Sequence, residues 1–221
     1  MKLLIFISIF CFDVLNASVA IKDKIFFNVY RNGSNIGYHK LDFEIIESIT
    51  KVNIEINFKV KFLGLTVYNY FHQNTEKWFD NKLIGLDSST SKNRDILNCN
   101  VHKNTQNNLN VEGSSLNKMK EYVEILPSSY WNMALVEGKS QKKILNTQDC
   151  SIINLNIRKI GLEKIYDQIN SYHFKLTGFE SSGEELDIDI WYDLTGNWVK
   201  MIFIKDESKI EYYLDEFDEK R

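Results

Sequence analysis

The sequence is poor in the residue patterns that carry the most recognisable chemistry. It has no GxSxG motif, no CxxC pair, and no HxH or HxxxH pair among its four histidines. The signatures of a nucleophile elbow, a dithiol redox centre and a closely spaced zinc site are therefore missing. It has no basic stripe either. Lys and Arg number 27 against 30 Asp and Glu, for a net charge of -3, and the single pair Lys142-Lys143 is far too small to hold nucleic acid. Proline occurs once, at Pro127. No βαβ rhythm and no fixed-period repeat appear, which excludes a parallel sheet and a solenoid. No apolar run reaches the ~20 residues of a membrane-spanning helix.

Residues 1–20 read as a secretory signal peptide. Lys2 gives a positive start, residues 3–12 (LLIFISIFCF) an apolar stretch, and Ser18-Val19-Ala20 the small residues a signal peptidase requires. Cleavage after Ala20 is expected, with a periplasmic or secreted destination and no transmembrane segment in the mature chain. Cys11 does not make a lipoprotein signal, because Ser8-Ile9-Phe10 puts no small residue in front of it. Export leaves Cys99 and Cys150. An even pair in an oxidising compartment permits one disulfide, but two separate buried thiols fit the spacing equally well.

What the chain does have is alternation. Residues 51–62 (KVNIEINFKVKF) alternate without error, with Val52, Ile54, Ile56, Phe58, Val60 and Phe62 on one face and Lys, Asn and Glu on the other. That is the period of a strand with one wet and one dry face. Weaker versions recur at 24–31, 36–46, 66–79, 83–91, 172–179, 186–192, 198–205 and 209–217. Asn32-Gly33 is a strong hairpin signal, and Leu63-Gly64-Leu65 marks a bend or bulge. Residues 127–136 (PSSYWNMALV) are expected to hold a short helix capped by a serine, and 161–171 a loop or one short helix. The prediction is an all-β domain over 21–217, about ten strands in a long-stranded antiparallel meander curled into a full or partial barrel, with one or two short helices. A charged tail, 218–221, follows.

Four segments carry a resemblance: VYRNGSNIGYHKLDFE (29–44), ILPSSYWN (125–132), ILNTQ (144–148) and LDIDIWYDLTGNWVKMIF (186–203). Together they resemble an uncharacterised domain-of-unknown-function family, of the 6134 type, of exported Gram-negative proteins. That family is distantly similar to periplasmic families whose sheets curl around an apolar interior like carriers. The resemblance implies the fold and the compartment, but no activity.

The remaining clusters have plain structural readings. His39 and His72 sit on neighbouring hairpins and are able to meet across the sheet, but no third ligand converges for a metal. Asp187 and Asp189 share a strand face with a solvated look. Trp191 and Trp198 flank the turn 193–196 and are expected to pair across it. Tyr68, Tyr70, Phe71 and Trp78 read as strand face or core, and Tyr130 with Trp131 as a plug at one end of the curled sheet. No nucleophile–base or metal set stands out, so neither an enzyme nor a cofactor is expected. The expected function is binding or carrying an apolar or amphipathic ligand, or an envelope lipid or lipoprotein, with Phe58, Phe62, Tyr70, Tyr130, Trp131 and Ile190 as candidate lining residues. The alternative is a structural or interaction protein of the envelope with a filled core.

Overall fold

The alternation of residues 51–62 becomes the inner and outer faces of one very large sheet. The computed structural model describes residues 23–180 and 183–218. The expected export segment, residues 219–221 of the tail, and the side chain of the candidate Phe62 lie outside the described part. Among the described residues the chain forms fifteen strands in a single sheet. The first group is β1 (Lys24–Arg31), β2 (Ser34–Ile46), β3 (Ile49–Phe62), β4 (Leu65–Phe79) and β5 (Lys82–Lys92). Next come β6 (Asp95–Lys103), β7 (Leu109–Gly113), β8 (Lys120–Tyr122), β9 (Leu126–Pro127) and β10 (Gln141–Leu145). The last are β11 (Ile152–Ile165), β12 (Ile169–Phe179), β13 (Glu185–Asp193), β14 (Trp198–Lys205) and β15 (Ser208–Leu214). No helix among the described residues is long and apolar enough to cross a membrane.

The strand order is β8-β7-β6-β5-β4-β3-β2-β1-β15-β14-β13-β12-β11-β10-β9. The first and last described strands thus meet in mid-sheet, where β1 pairs with β15, and the two sheet edges, β8 and β9, are not bonded to each other. The sheet rolls without closing into a barrel. Side chains join the two flanks of the roll instead. Cys99 in β6 forms a disulfide with Cys150, just after β10. Ser88 of β5 donates to the Thr147 carbonyl, and Ser115 donates to the Asp149 carboxylate. Gly113 makes room for this loop, because a Cβ there would stand 2.6 Å from the Cys150 Cβ. A crosslink over a sequence separation of 51 residues stabilises by about 4 kcal/mol in the chain-entropy model.

The core is built from the inward row of each strand, such as Ile25, Phe27 and Val29 of β1, Leu41 of β2, and Ile188 and Ile190 of β13. Several expectations are corrected. Residues 161–171 hold no helix or open loop. They finish β11, turn at Tyr166-Asp167 with φ values of 51° and 54°, and begin β12. The turn lacks the Gly or Asn that normally marks a double positive-φ hairpin, so no local signal announced it. The short helix in 127–136 shrinks to one 3₁₀ turn, Met133–Leu135, capped by Asn132 Oδ1, which accepts from the Ala134 N–H at 2.9 Å. No serine does so. The tail is not free at its start, since Asp218 is buried and accepts from the Tyr30 hydroxyl at 2.7 Å. Trp191 and Trp198 do not pair, because a bulge at Trp191/Tyr192 shifts the register and sets Tyr192 opposite Trp198. The two indoles consequently lie on opposite faces, Trp198 against Phe27 inside and Trp191 against His173 outside.

Candidate functional site

The inner face of β3 changes character along its length. Val52 is buried in the packed core and Ile54 sits at its border, and from Ile54 onward Ile56, Phe58 and Val60 line a cavity of about 450 Å³. That volume falls within the ~300–1,000 Å³ range of small-molecule sites. Ile56 and Phe58 of β3 and Tyr70 of β4 form one wall, with Met201, Phe203 and Tyr212 of β14 and β15 opposite. On its surface Phe58 meets Tyr212 edge-to-face with ring centroids 6.3 Å apart, and stacks on Tyr70 at 5.7 Å. The mouth opens at the end of the roll that carries the β1–β2, β3–β4, β5–β6 and β14–β15 turns. Its charged groups are Arg31, Lys92 and Lys205 with Glu180, Glu185 and Asp206.

The deep end is polar yet uncharged. The strand register places His39 opposite Ile56, Ile56 opposite His72, and His72 opposite Thr90. Cross-strand neighbours share a face, so this whole row points inward. His72 Nδ1 and Thr90 Oγ1 are 2.7 Å apart. The His39 ring is boxed by Trp198, Tyr212 and Phe27 at 5.2, 5.7 and 6.5 Å, and neither of its nitrogens has a hydrogen-bond partner among the described residues. Burial pushes the His39 imidazole down to about 3, helped by the charge His72 would carry, and pushes His72 down to about 4. Both are therefore neutral at physiological pH. Burial likewise raises the phenols of Tyr70, Tyr130 and Tyr212, which keep their protons.

Beneath the cavity a buried carboxylate ties the plug to the wall. Glu76 accepts from the Asn74 amide at 2.8 Å and from the Trp78 and Trp131 indoles at 2.9 Å each. Ser129 adds a further hydrogen bond. Burial drives the Glu76 carboxyl above its usual range, against the pull of these four donors. Trp131 is wedged between Trp78 and Phe43, with ring centroids 5.3 and 5.2 Å away. The Tyr192 hydroxyl donates to the Tyr130 carbonyl at 2.6 Å, which holds Tyr130 at a φ of 64°.

Of the candidate lining residues, the structure brings together Phe58, Tyr70 and Tyr130 on the cavity. Ile190 is buried in the packed core instead, and Trp131 serves the Glu76 knot below the cavity. The sequence reading missed His72, Asn74 and Glu76 as one inward row. Taking every second residue of residues 66–79 would have found it, since Tyr68, Tyr70, His72, Asn74, Glu76 and Trp78 share a parity that Phe71 does not.

A second polar cluster lies on the outer face. His173 Nδ1 is 2.9 Å from Glu163 and its Nε2 is 2.7 Å from Asp189, with Trp191 stacked on the ring at 4.3 Å. Lys175 Nζ lies 2.9 Å from Asp189. Although burial works against it, Lys175 and His173 hold the Asp189 carboxyl below its usual range. Asp187 and Asp189, on a partly solvated face, both pair with Lys175, and His173 joins Glu163 and Asp189.

A family model described as domain of unknown function DUF6134 matches residues 27–215. No curated protein matches the chain. Among solved structures, it is similar to the crystal structure of a beta-barrel-like protein of domain of unknown function DUF1849 from Brucella abortus. The TM-score is 0.63 at 10% sequence identity, over 86% of this chain and 94% of that one. At that identity the likeness is one of fold.

Proposed function

The chain belongs to the DUF6134 family, a domain of unknown function, and we propose that it is an exported binding protein that shelters the apolar part of an amphipathic molecule of the cell envelope. The observation that carries this reading is the change along the inner face of β3, from packed core at Val52, through Ile54 at the border, to cavity wall at Ile56, Phe58 and Val60. A sheet that only needed a core would fill that volume, since protein interiors are packed as densely as organic crystals. Neutral histidines and tyrosines at depth favour an uncharged inserted end. A charged headgroup remains at the mouth, among Arg31, Lys92 and Lys205. The signal-like residues 1–20 and the Cys99–Cys150 disulfide both fit an oxidising compartment outside the cytoplasm. The proposed role is one of holding, with no bond made or broken.

The test is a fluorescence titration with cis-parinaric acid, a probe whose polyene chain brightens in apolar surroundings. Ile56→Trp places a large ring in mid-cavity without touching the packed half of β3. The unaltered protein binds the probe, and Ile56→Trp weakens binding at least tenfold while its thermal melt stays cooperative. Equal affinity in both proteins would rule out this cavity as the binding site.

A further inference from the structure

The longest hairpin of the molecule stands at the cavity mouth and overshoots its neighbours. Pairing of β2 with β3 stops at Gly37 opposite Phe58, and pairing of β4 with β5 stops at Tyr70 opposite Lys92. Residues 59–68 therefore project as a two-stranded finger, roughly 15 Å long at ~3.3 Å per residue. Its base belongs to the cavity, since Val60, Val67 and Tyr68 line the mouth. Its tip is apolar and wet. Leu63 is 87% exposed, Leu65 72% and Val67 56%. Isolated exposed leucines need no explanation, but three neighbours on a projecting tip beside an apolar cavity do.

The charges of this flank have one dominant sign. The finger carries Lys59 and Lys61, both exposed, and no acid. The adjacent β5–β6 turn adds Lys92 and Arg94 against Asp95 alone. The acids of this end, Glu180, Glu184, Glu185, Asp206 and Glu207, lie at the β12–β13 and β14–β15 turns instead. An apolar tip flanked by lysines on one side of the mouth is complementary to one kind of surface, an anionic lipid headgroup layer above hydrocarbon.

We infer that the β3–β4 finger docks the protein on an anionic lipid surface, with Leu63, Leu65 and Val67 entering the headgroup boundary and Lys59 and Lys61 on the phosphates. Docking sets the cavity mouth against the bilayer, so an amphipathic molecule passes between the two without crossing open water. It goes beyond ligand holding and is tested apart from it.

The experiment is co-sedimentation of the exported protein with vesicles of phosphatidylcholine mixed with phosphatidylglycerol, compared with phosphatidylcholine alone. Leu63 and Gly64 both have positive φ, 49° and 81°, a turn type in which Asn-Gly is preferred. Leu63→Asn therefore suits the turn, and Leu65→Thr keeps a good strand former, so the double variant removes the apolar tip without unfolding the hairpin. The unaltered protein binds the anionic vesicles, releases them in high salt, and ignores the neutral ones. The double variant binds at least tenfold more weakly, and replacing Lys59 and Lys61 by Gln costs a similar factor at about fivefold per cation. Ile56→Trp, which blocks the cavity, docks as well as the unaltered protein. Binding to neither vesicle, equal binding to both, or undiminished binding by the double variant would each overturn the inference, whatever the cavity holds.

Discussion

Replacing Glu76 with alanine is expected to lower the unfolding free energy by about 3–5 kcal/mol, the cost of leaving several buried donors unpaired less the desolvation relieved. The substitution leaves the Trp78 and Trp131 indoles and the Asn74 amide without their acceptor, and each buried donor left unpaired costs about 1–3 kcal/mol. Removing the buried carboxylate itself relieves some desolvation, which keeps the net below the sum. A loss of that size takes away a large share of the ~5–15 kcal/mol that holds a typical domain together. Glu76→Gln retains one acceptor oxygen and the side-chain shape, so it should lose less than half as much. Denaturant midpoints at constant m-value measure both. An alanine variant within about 1 kcal/mol of the unaltered protein would mean that the knot does not hold the plug to the wall.

The second large effect is acid sensitivity. His39 and His72 have folded-state values of about 3 and about 4 against 6.5 for the free side chain. Between 6.5 and those values the unfolded chain takes up protons that the folded chain refuses. Stability is therefore intact above 6.5 and falls as the pH drops toward 4. At 1.36 kcal/mol per unit of difference, the two imidazoles together remove several kcal/mol. Glu76 works in the opposite sense. Its raised carboxyl is protonated in the fold before it is in the unfolded chain, so it recovers part of the loss as pH falls from its folded value toward 4.5. His39→Phe is the discriminating variant. It places an apolar ring in the box of Phe27, Trp198 and Tyr212 and removes two nitrogens that have no partner. It should be at least as stable at neutral pH and lose roughly half the slope of midpoint against pH. A variant with the full slope would place the acid sensitivity in other groups.

Much of the architecture was legible because a period of two is hard to mistake over long strands. Residues 51–62 gave their own two faces and the break at Gly64, and the long antiparallel meander followed from its neighbours. Closure was not legible, since it depends on the two edges β8 and β9, which are too short to leave a pattern. The turn at Tyr166-Asp167 escaped because Tyr166 does not mark positive φ and no Gly accompanies Asp167, and the Trp191/Tyr192 bulge because a one-residue register shift leaves no trace in composition. At the site, Phe58 and Tyr70 were found from apolar alternation, and Tyr130 as part of the aromatic plug that follows Pro127. Ile190 followed the same rule and fell in the packed half, because alternation says which way a side chain points and nothing of what it meets. His72, Asn74 and Glu76 were missed for the converse reason. A polar residue on an inward face looks like an error in a hydrophobic pattern, although three in step on one strand mark a buried polar row.

Native mass spectrometry of the protein purified intact from cells that express it tests the cavity most directly. Expected is a population heavier than the bare protein by one amphipathic molecule, present on the unaltered protein and lost from Ile56→Trp. Bare mass from both proteins, or the same adduct on both, contradicts a sheet that carries cargo in the cavity lined by Ile56, Phe58 and Tyr70.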